Sequence, residues 1–228
     1  MKKIAILGAM EIEIQPILAK LDNYETVEYA NNKYYLATYK DKKLIIAYSK
    51  IGKVFSSLTA TIMIEHFGAQ ALLFTGVAGG LQDLKVGDMV AATATVQHDV
   101  DITAFGYPHG KIPISEVQIE TSDMILNHAK EVAKDLELDL HTGIIATGDQ
   151  FISSAEKKDF VVSEFNAKAI EMEGGSVNLV CNEMKIPSLI LRSISDTADG
   201  DATENFDEFA KNAAQKSADF VINLVERI

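Results

Sequence analysis

Cysteine is nearly absent: Cys181 is the only one in 228 residues. A single thiol excludes an internal disulfide and any zinc site built from a cysteine cluster. Its place in an apolar helical pattern reads as a buried, inert side chain. Basic residues are in deficit, with 21 Lys and Arg against 33 Asp and Glu and a net charge of −12. No basic stripe is left for a phosphate backbone, which argues against nucleic acid as a partner. A soluble protein with a neutral or cationic small ligand fits better. Long apolar runs are missing too, and none approaches the ~20 residues that a bilayer-crossing helix needs. The apolar stretch 4–9 after Met1-Lys2-Lys3 is too short for the core of a secretory signal, so the expectation is a cytoplasmic protein with no membrane contact. No Pro/Ser-rich linker marks a boundary, which predicts one domain over residues 1–228.

What is present is an alternation. Residues 4–8 form a continuous apolar stretch, the kind of strand buried on both faces of a sheet. Pro16 belongs in the first turn of a helix. That places Glu11 and Glu13 at or just before the helix start, where acidic groups are favoured. Residues 25–30 and 33–39, split by Asn31-Asn32, predict a hairpin, and residues 43–48 a further strand. Val54, Leu58 and Ile62 recur at helical spacing through residues 54–67, and Gly68 is the stop. Residues 71–74 are the next buried strand and run into Thr75-Gly76-Val77-Ala78-Gly79-Gly80. This reads as a sharp strand-to-loop turn whose glycines permit close backbone approach. It matches neither a Walker loop nor the dinucleotide fingerprint.

Residues 88–96 predict a strand and 97–113 an irregular, aromatic loop, a length that in compact domains marks function or an interface. His98, Asp99 and Asp101 lie there, but no second histidine completes a metal set. Further on come a helix (122–136), a strand (141–146), a helix (155–162), a strand (188–191) ending at Arg192, and a closing amphipathic helix (206–225). Between them, Glu171-Met172-Glu173 precedes Gly174-Gly175 and a helical pattern over 176–184. Strand alternation puts Glu171 and Glu173 on one face, with Gly174-Gly175 as a flexible turn.

The pattern is alternating α/β with an antiparallel portion near residues 25–48. In such sheets the strand ends on one side build a single pocket. Glu13, Gly79, Phe151, Glu173 and Asp196 are then candidates to meet there. Two carboxylates suit hydrolysis at an acetal-like carbon, one as acid and one activating water. A third, ionised, only accepts hydrogen bonds and so suits sugar hydroxyls. Phe151 can stack a flat ring. Sugar plus flat ring suggests a nucleoside.

Several motifs carry a family resemblance: Gly8-Ala9-Met10-Glu11-Ile12-Glu13, Ser49-Lys50-Ile51-Gly52-Lys53, Thr75 to Gly80 as above, and Thr103-Ala104-Phe105-Gly106-Tyr107. They continue with Gly148-Asp149-Gln150-Phe151-Ile152, Glu171-Met172-Glu173, Arg192-Ser193-Ile194-Ser195-Asp196 and Phe206-Asp207-Glu208-Phe209. In this order, over nearly the whole chain, they resemble the bacterial 5′-methylthioadenosine/S-adenosylhomocysteine nucleosidases of the nucleoside phosphorylase/hydrolase superfamily.

The resemblance implies a single α/β domain with a central twisted mixed sheet flanked by helices, a homodimer, and no metal or cofactor. It implies hydrolysis of the N-glycosidic bond of 5′-substituted adenosines, with release of adenine, in methionine salvage. Asp196 would protonate the purine at N7, and Glu13 would orient and deprotonate the attacking water. Glu173 would accept from the ribose hydroxyls with Met172 packed on the sugar. Phe151 would stack on adenine while the Ile152 backbone reads its edge, and Gly79 lets backbone approach the ligand. Met10, Ile51, Ser195 and Phe206 would complete the substrate pocket. Phe105, Tyr107 and Pro113 would be lent by a dimer partner to the 5′-substituent pocket.

The chain departs from the family pattern at Ile12, where many members carry a third glutamate, and at Val77, where many have serine. Gly174-Gly175 replaces a bulkier pair. Residues 48–51, 96–101 and 148–151 look more like the branch that also cleaves 6-amino-6-deoxyfutalosine in menaquinone synthesis. The alternatives are a purine nucleoside phosphorylase on the same fold and a non-catalytic nucleoside-binding protein. Phosphate needs cationic or multiple N–H donors, and the first glycine turn offers Glu11 and Glu13 instead.

Overall fold

The computed structural model describes residues 1–196 and 206–228; the side chains of residues 206–208 also lie outside that description. In chain order the elements are β1 (Lys3–Gly8), α1 (Glu11–Leu18), β2 (Glu25–Tyr29), β3 (Asn32–Tyr39), β4 (Lys42–Tyr48), α2 (Lys53–Glu65), β5 (Ala71–Gly80) and β6 (Met89–Gln97). A 3-10 turn at Thr103–Phe105 and the short β7 (Ile119–Glu120) lead to α3 (Asp123–Asp135), β8 (Leu140–Thr147), α4 (Ala155–Phe165) and β9 (Ala167–Glu171). The chain ends with α5 (Gly174–Glu183), β10 (Ser188–Asp196) and α6 (Phe206–Val225).

All ten strands of the described residues join one mixed sheet. The apolar strands β1, β4, β5 and β10 run parallel at its centre, and β2–β3–β4 form the antiparallel edge. β5 also meets β9 through Gly79 and Gly80, while β10 pairs with β6, β6 with β8 and β8 with β9. The path β5–β10–β6–β8–β9 therefore returns to β5. This half of the sheet closes on itself, and the other half stays open.

Helices cover both sides because the central strands are apolar on both faces. Side chains of α1, α3 and α6 pack with Ile4, Ile6, Leu73 and Leu191. Residues of α2 and α5, Cys181 among them, pack with Ala5, Leu7, Phe74 and Ile190. Cys181 is fully buried, and that burial pushes its thiol up to about 12, so it is inert.

Four sequence expectations need correction. Pro16 lies inside α1, not in its first turn. The helix already starts at Glu11, held by Glu13 reaching back to the amides before it. It ends two residues after the proline, so the hydrogen bond lost to the ring falls near its end. Thr75 to Gly80 is not a turn but the second half of β5, paired with β10 as far as Gly79 and with β9 at Gly79 and Gly80. A Cβ at Gly76 would strike the Glu13 carboxyl and come within 3.1 Å of Arg192 Nη1, so the glycine makes room for the site. The strand expected over 188–191 runs on to Asp196, which makes Arg192 an interior strand residue. Gly174 and Gly175 form the first turn of α5, where a Cβ on Gly175 would lie 2.8 Å from Thr147 Oγ1.

Candidate active site

The carboxyl ends of β1, β5, β8, β9 and β10 surround a cavity of about 390 Å³. Ten of the residues expected at a site line it: Met10, Glu13, Ile51, Gly79, Phe151, Ile152, Met172, Glu173, Ser195 and Asp196. Its volume lies within the usual range for a small-molecule site. Phe105, Tyr107 and Pro113 do not line it in a single chain. They lie exposed on the loop after β6, with Phe105 81 % accessible. The expectation for the Phe206 side chain falls outside the described residues.

Glu13 sits on the floor, 3 % exposed. One carboxylate oxygen accepts from the amides of Ala9 at 2.6 Å and Met10 at 2.9 Å. The other accepts from the Val77 amide at 2.9 Å. These are the donors at the end of β1 and in the glycine-bearing half of β5. Burial pushes the Glu13 carboxyl above its ordinary value, and the Arg192 guanidinium and the three amides pull it part of the way back.

Glu171 and Glu173 take different roles because β9 stops at Glu171 and alternation does not continue. Glu171 is surrounded by donors. The Thr147 hydroxyl and Arg192 donate to it, as do the Gly174 amide at 2.7 Å and the Glu173 amide at 3.2 Å. Arg192 is fully buried, with its guanidinium 4.1 Å from the centre of the Phe74 ring. Glu171 and Arg192 are thus a buried ion pair beneath the site. Glu173 keeps one contact from outside its own segment, the Gly52 amide at 2.8 Å. Burial first, and then the charge of Glu171, pushes the Glu173 carboxyl up to about 8.

Asp196 ends β10 opposite Gly79 of β5, after a register shift that follows Ile194. It is 8 % exposed, and Ser195 donates its hydroxyl to it at 2.9 Å. Across the cavity, Phe151 is half exposed on the loop after β8 and Ile152 is buried. The site therefore sets three carboxyl groups against one flat aromatic wall. That composition can bind a sugar, stack a planar base, and supply both an acid and a base.

Arg192 was legible only as part of a motif, and no role was attached to it. An arginine one residue past an apolar strand reads as a solvated end unless the strand is known to continue. Gln150 was also missed, yet it lines the cavity, and its side-chain oxygen accepts from Lys157 Nζ at 2.8 Å. Its signal was its position beside Phe151.

The chain belongs to the Phosphorylase superfamily, whose sequence pattern matches residues 3–226. Within that class its relatives are nucleosidases. The aminodeoxyfutalosine nucleosidase of Campylobacter jejuni is 54% identical over 100% of both chains. A crystal structure from Francisella philomiragia, provisionally named a 5′-methylthioadenosine/S-adenosylhomocysteine nucleosidase, superposes with a TM-score of 0.99 at 80% identity, covering 100% of both chains. The Helicobacter pylori 5′-methylthioadenosine/S-adenosylhomocysteine nucleosidase, crystallised with an aminopyrrolopyrimidine joined to a hydroxypyrrolidine, gives a TM-score of 0.98 at 48% identity, covering 100% of this chain and 99% of that one.

Proposed function

We propose that this protein is an N-glycosyl hydrolase that releases adenine from 5′-substituted adenosines, among them 5′-methylthioadenosine, S-adenosylhomocysteine and 5′-deoxyadenosine, and from 6-amino-6-deoxyfutalosine. The observation that carries hydrolysis over phosphorolysis is the occupancy of the amides under the sugar position. An attacking phosphate would need those N–H groups. Here the amides of Ala9, Met10 and Val77 are all given to the carboxylate of Glu13. A fixed carboxylate repels an anionic nucleophile and suits a water, which it can orient and deprotonate.

The remaining roles follow from the walls. Asp196, carried on β10, protonates the purine at N7 so that the base leaves neutral. The developing positive charge on the sugar faces the carboxyl groups of the floor, which stabilise it. Glu173 holds the ribose hydroxyls and Met172 packs on the ring. Phe151 stacks on adenine, and the buried Ile152 offers its backbone to the base edge. No step in this scheme calls on a metal or cofactor.

The working unit is a homodimer. Val54, Phe55 and Leu58 on α2 are 76%, 47% and 48% exposed, and Ile51 just before them is both exposed and part of the cavity wall. Phe105, Tyr107 and Ile114 are exposed as well, and a dimer would take these apolar side chains out of water. A second copy seated on this face would bring its Phe105, Tyr107 and Pro113 to the open side of the cavity, where the 5′-substituent lies. Light scattering at micromolar concentration checks the dimer.

The deciding experiment is incubation with methylthioadenosine in buffers with and without phosphate. Free adenine and free sugar in the phosphate-free buffer are expected. Strict dependence on phosphate would overturn hydrolysis. Comparing kcat/KM for the four nucleosides side by side then ranks the substrates.

A further inference from the structure

Outside the cavity wall, the loops after β4, β6 and β8 are joined by one carboxylate. Asp99 accepts from Lys53 Nζ at 2.7 Å through one oxygen and from the Asp149 amide at 2.9 Å through the other. The Asp149 carboxylate in turn accepts from the Lys53 amide at 2.8 Å. One residue earlier, the Gly52 amide donates to Glu173 at 2.8 Å. A chain of short contacts therefore runs from the sugar-facing Glu173 through residues 52–53 to Asp149. Asp149 opens the segment Gln150-Phe151-Ile152 that forms the base wall.

The two partners are well placed for a fixed contact. The Lys53 and Asp99 side chains are 19 % and 12 % exposed, so solvent screens this pair less than one in open water. Burial pushes the Asp99 carboxyl up, but the Lys53 ammonium and the Asp149 amide outweigh it and hold the group below the ordinary aspartate value. The backbone around the pair is tightly specified. Gly52 has φ +99°, and a Cβ there would lie 2.9 Å from Asp149 Oδ1. His98 is packed with its ring against Gly148, so the loop after β8 has a neighbour on that side as well.

We propose that Asp99 and Lys53 are a positioning pair that sets the base-binding segment 150–152 against the sugar-binding wall. Neither residue lines the cavity, so neither is catalytic. The pair holds the segment that Asp149 opens in its base-binding conformation, so a loosened segment loses base affinity whether or not a ribose is attached. This rests on the reading that adenine is held by Phe151 and Ile152.

The test compares wild type with Lys53→Met, Asp99→Ala and Lys53→Arg. It reads kcat and KM for adenine release from methylthioadenosine, the inhibition constant of free adenine, and Tm. Free adenine isolates the base wall because it has no ribose to hold on to. Loss of a charge-assisted contact predicts that Lys53→Met and Asp99→Ala raise both KM and the adenine constant by about tenfold or more, with kcat within about threefold of wild type. Lys53→Arg restores most of the adenine affinity, and Lys53→Met combined with Asp99→Ala is no worse than either alone. Adenine affinity equal to wild type in Lys53→Met, whatever happens to kcat or Tm, overturns the proposal, and that variant decides the matter if Asp99→Ala does not fold. A wild-type protein that neither releases nor binds adenine would instead overturn the base-binding reading itself.

Discussion

On the floor of the cavity, Glu13, Glu171 and Arg192 are almost wholly buried, and each is held by strands or by the first turn of a helix. At the rim, Phe151 and Ile51 are 51% and 55% exposed and sit on loops. The floor concentrates charge where charge is costly: three glutamates and one arginine in a dry space, so the arginine balances only one of them. The rim has apolar surface where apolar surface is costly, facing water. Each makes sense only when something else arrives. A water and a sugar complete the floor, and a base together with a second copy of the chain completes the rim. Changes on the floor should therefore alter rate and stability together, and changes on the rim should alter binding alone.

The largest effect expected is on the floor and on the acid opposite it. Asp196→Asn removes the proton donor and should lower kcat by about 10²–10⁴-fold with ligand binding retained. Near-normal turnover would end the acid assignment. Glu13→Gln should lose as much, for two reasons. The base is gone, and an amide NH2 would now face one of the backbone N–H groups that the carboxylate accepts. Arg192→Leu tests stability. It leaves Glu171 buried without its cation, and losing one partner of a buried pair costs about 3–5 kcal/mol. Urea unfolding of the variant reads that directly. A midpoint like that of wild type would mean that the pair is dispensable.

The contrast between floor and rim also explains what could be read from the sequence. Apolar continuity identified β1 and the first halves of β5 and β10, and amphipathic spacing placed the last helix at 206–225, because those features are local. The site residues surfaced because strand ends converge in α/β sheets, with Glu13 and Asp196 each a few residues after an apolar run. What stayed hidden was non-local. Nothing in residues 75–80 or 192–196 announces that the two segments pair along their length, since glycine and polar residues read as turn until the partner strand is known. For the same reason Arg192 received no role, and Glu171, which simple alternation puts on the same face as Glu173, could be told from it only through the family resemblance. The closure of half the sheet is likewise a property of pairing, not of any one strand.

At the rim the expected effect is smaller and of another kind. Phe151→Ala removes a stacking surface, worth about 1–3 kcal/mol per base. That predicts a rise in KM of roughly tenfold, within a factor of a few, while Tm stays within about 2 °C because the side chain is half in water. A fall in Tm comparable to that of Arg192→Leu would erase the distinction between floor and rim.

The finest test uses pH on Glu173. Its carboxyl is pushed up to about 8 from an ordinary 4.5, by burial first and by the charge of Glu171 second. A raised value means that the folded chain holds this proton more tightly than the unfolded chain does. The stability it contributes is fully present below about 4.5 and is lost as pH rises through about 8. Glu173→Gln has no proton to lose, and its side-chain oxygen can still accept from the Gly52 amide. The Tm difference between Glu173→Gln and wild type should therefore be near zero at acid pH. It should then grow in favour of the variant between about pH 4.5 and 8 and level off above that, at about 2–4 °C for each kcal/mol. Glu13, whose carboxyl is also raised, is present in both proteins and largely cancels in the difference. The same variant should lose ribose binding and rate, so the protein made more stable at alkaline pH is the one that no longer turns over. A Tm difference that does not change with pH would show that Glu173 is ionised throughout, and the excess proton of the floor would then have to sit on Glu13.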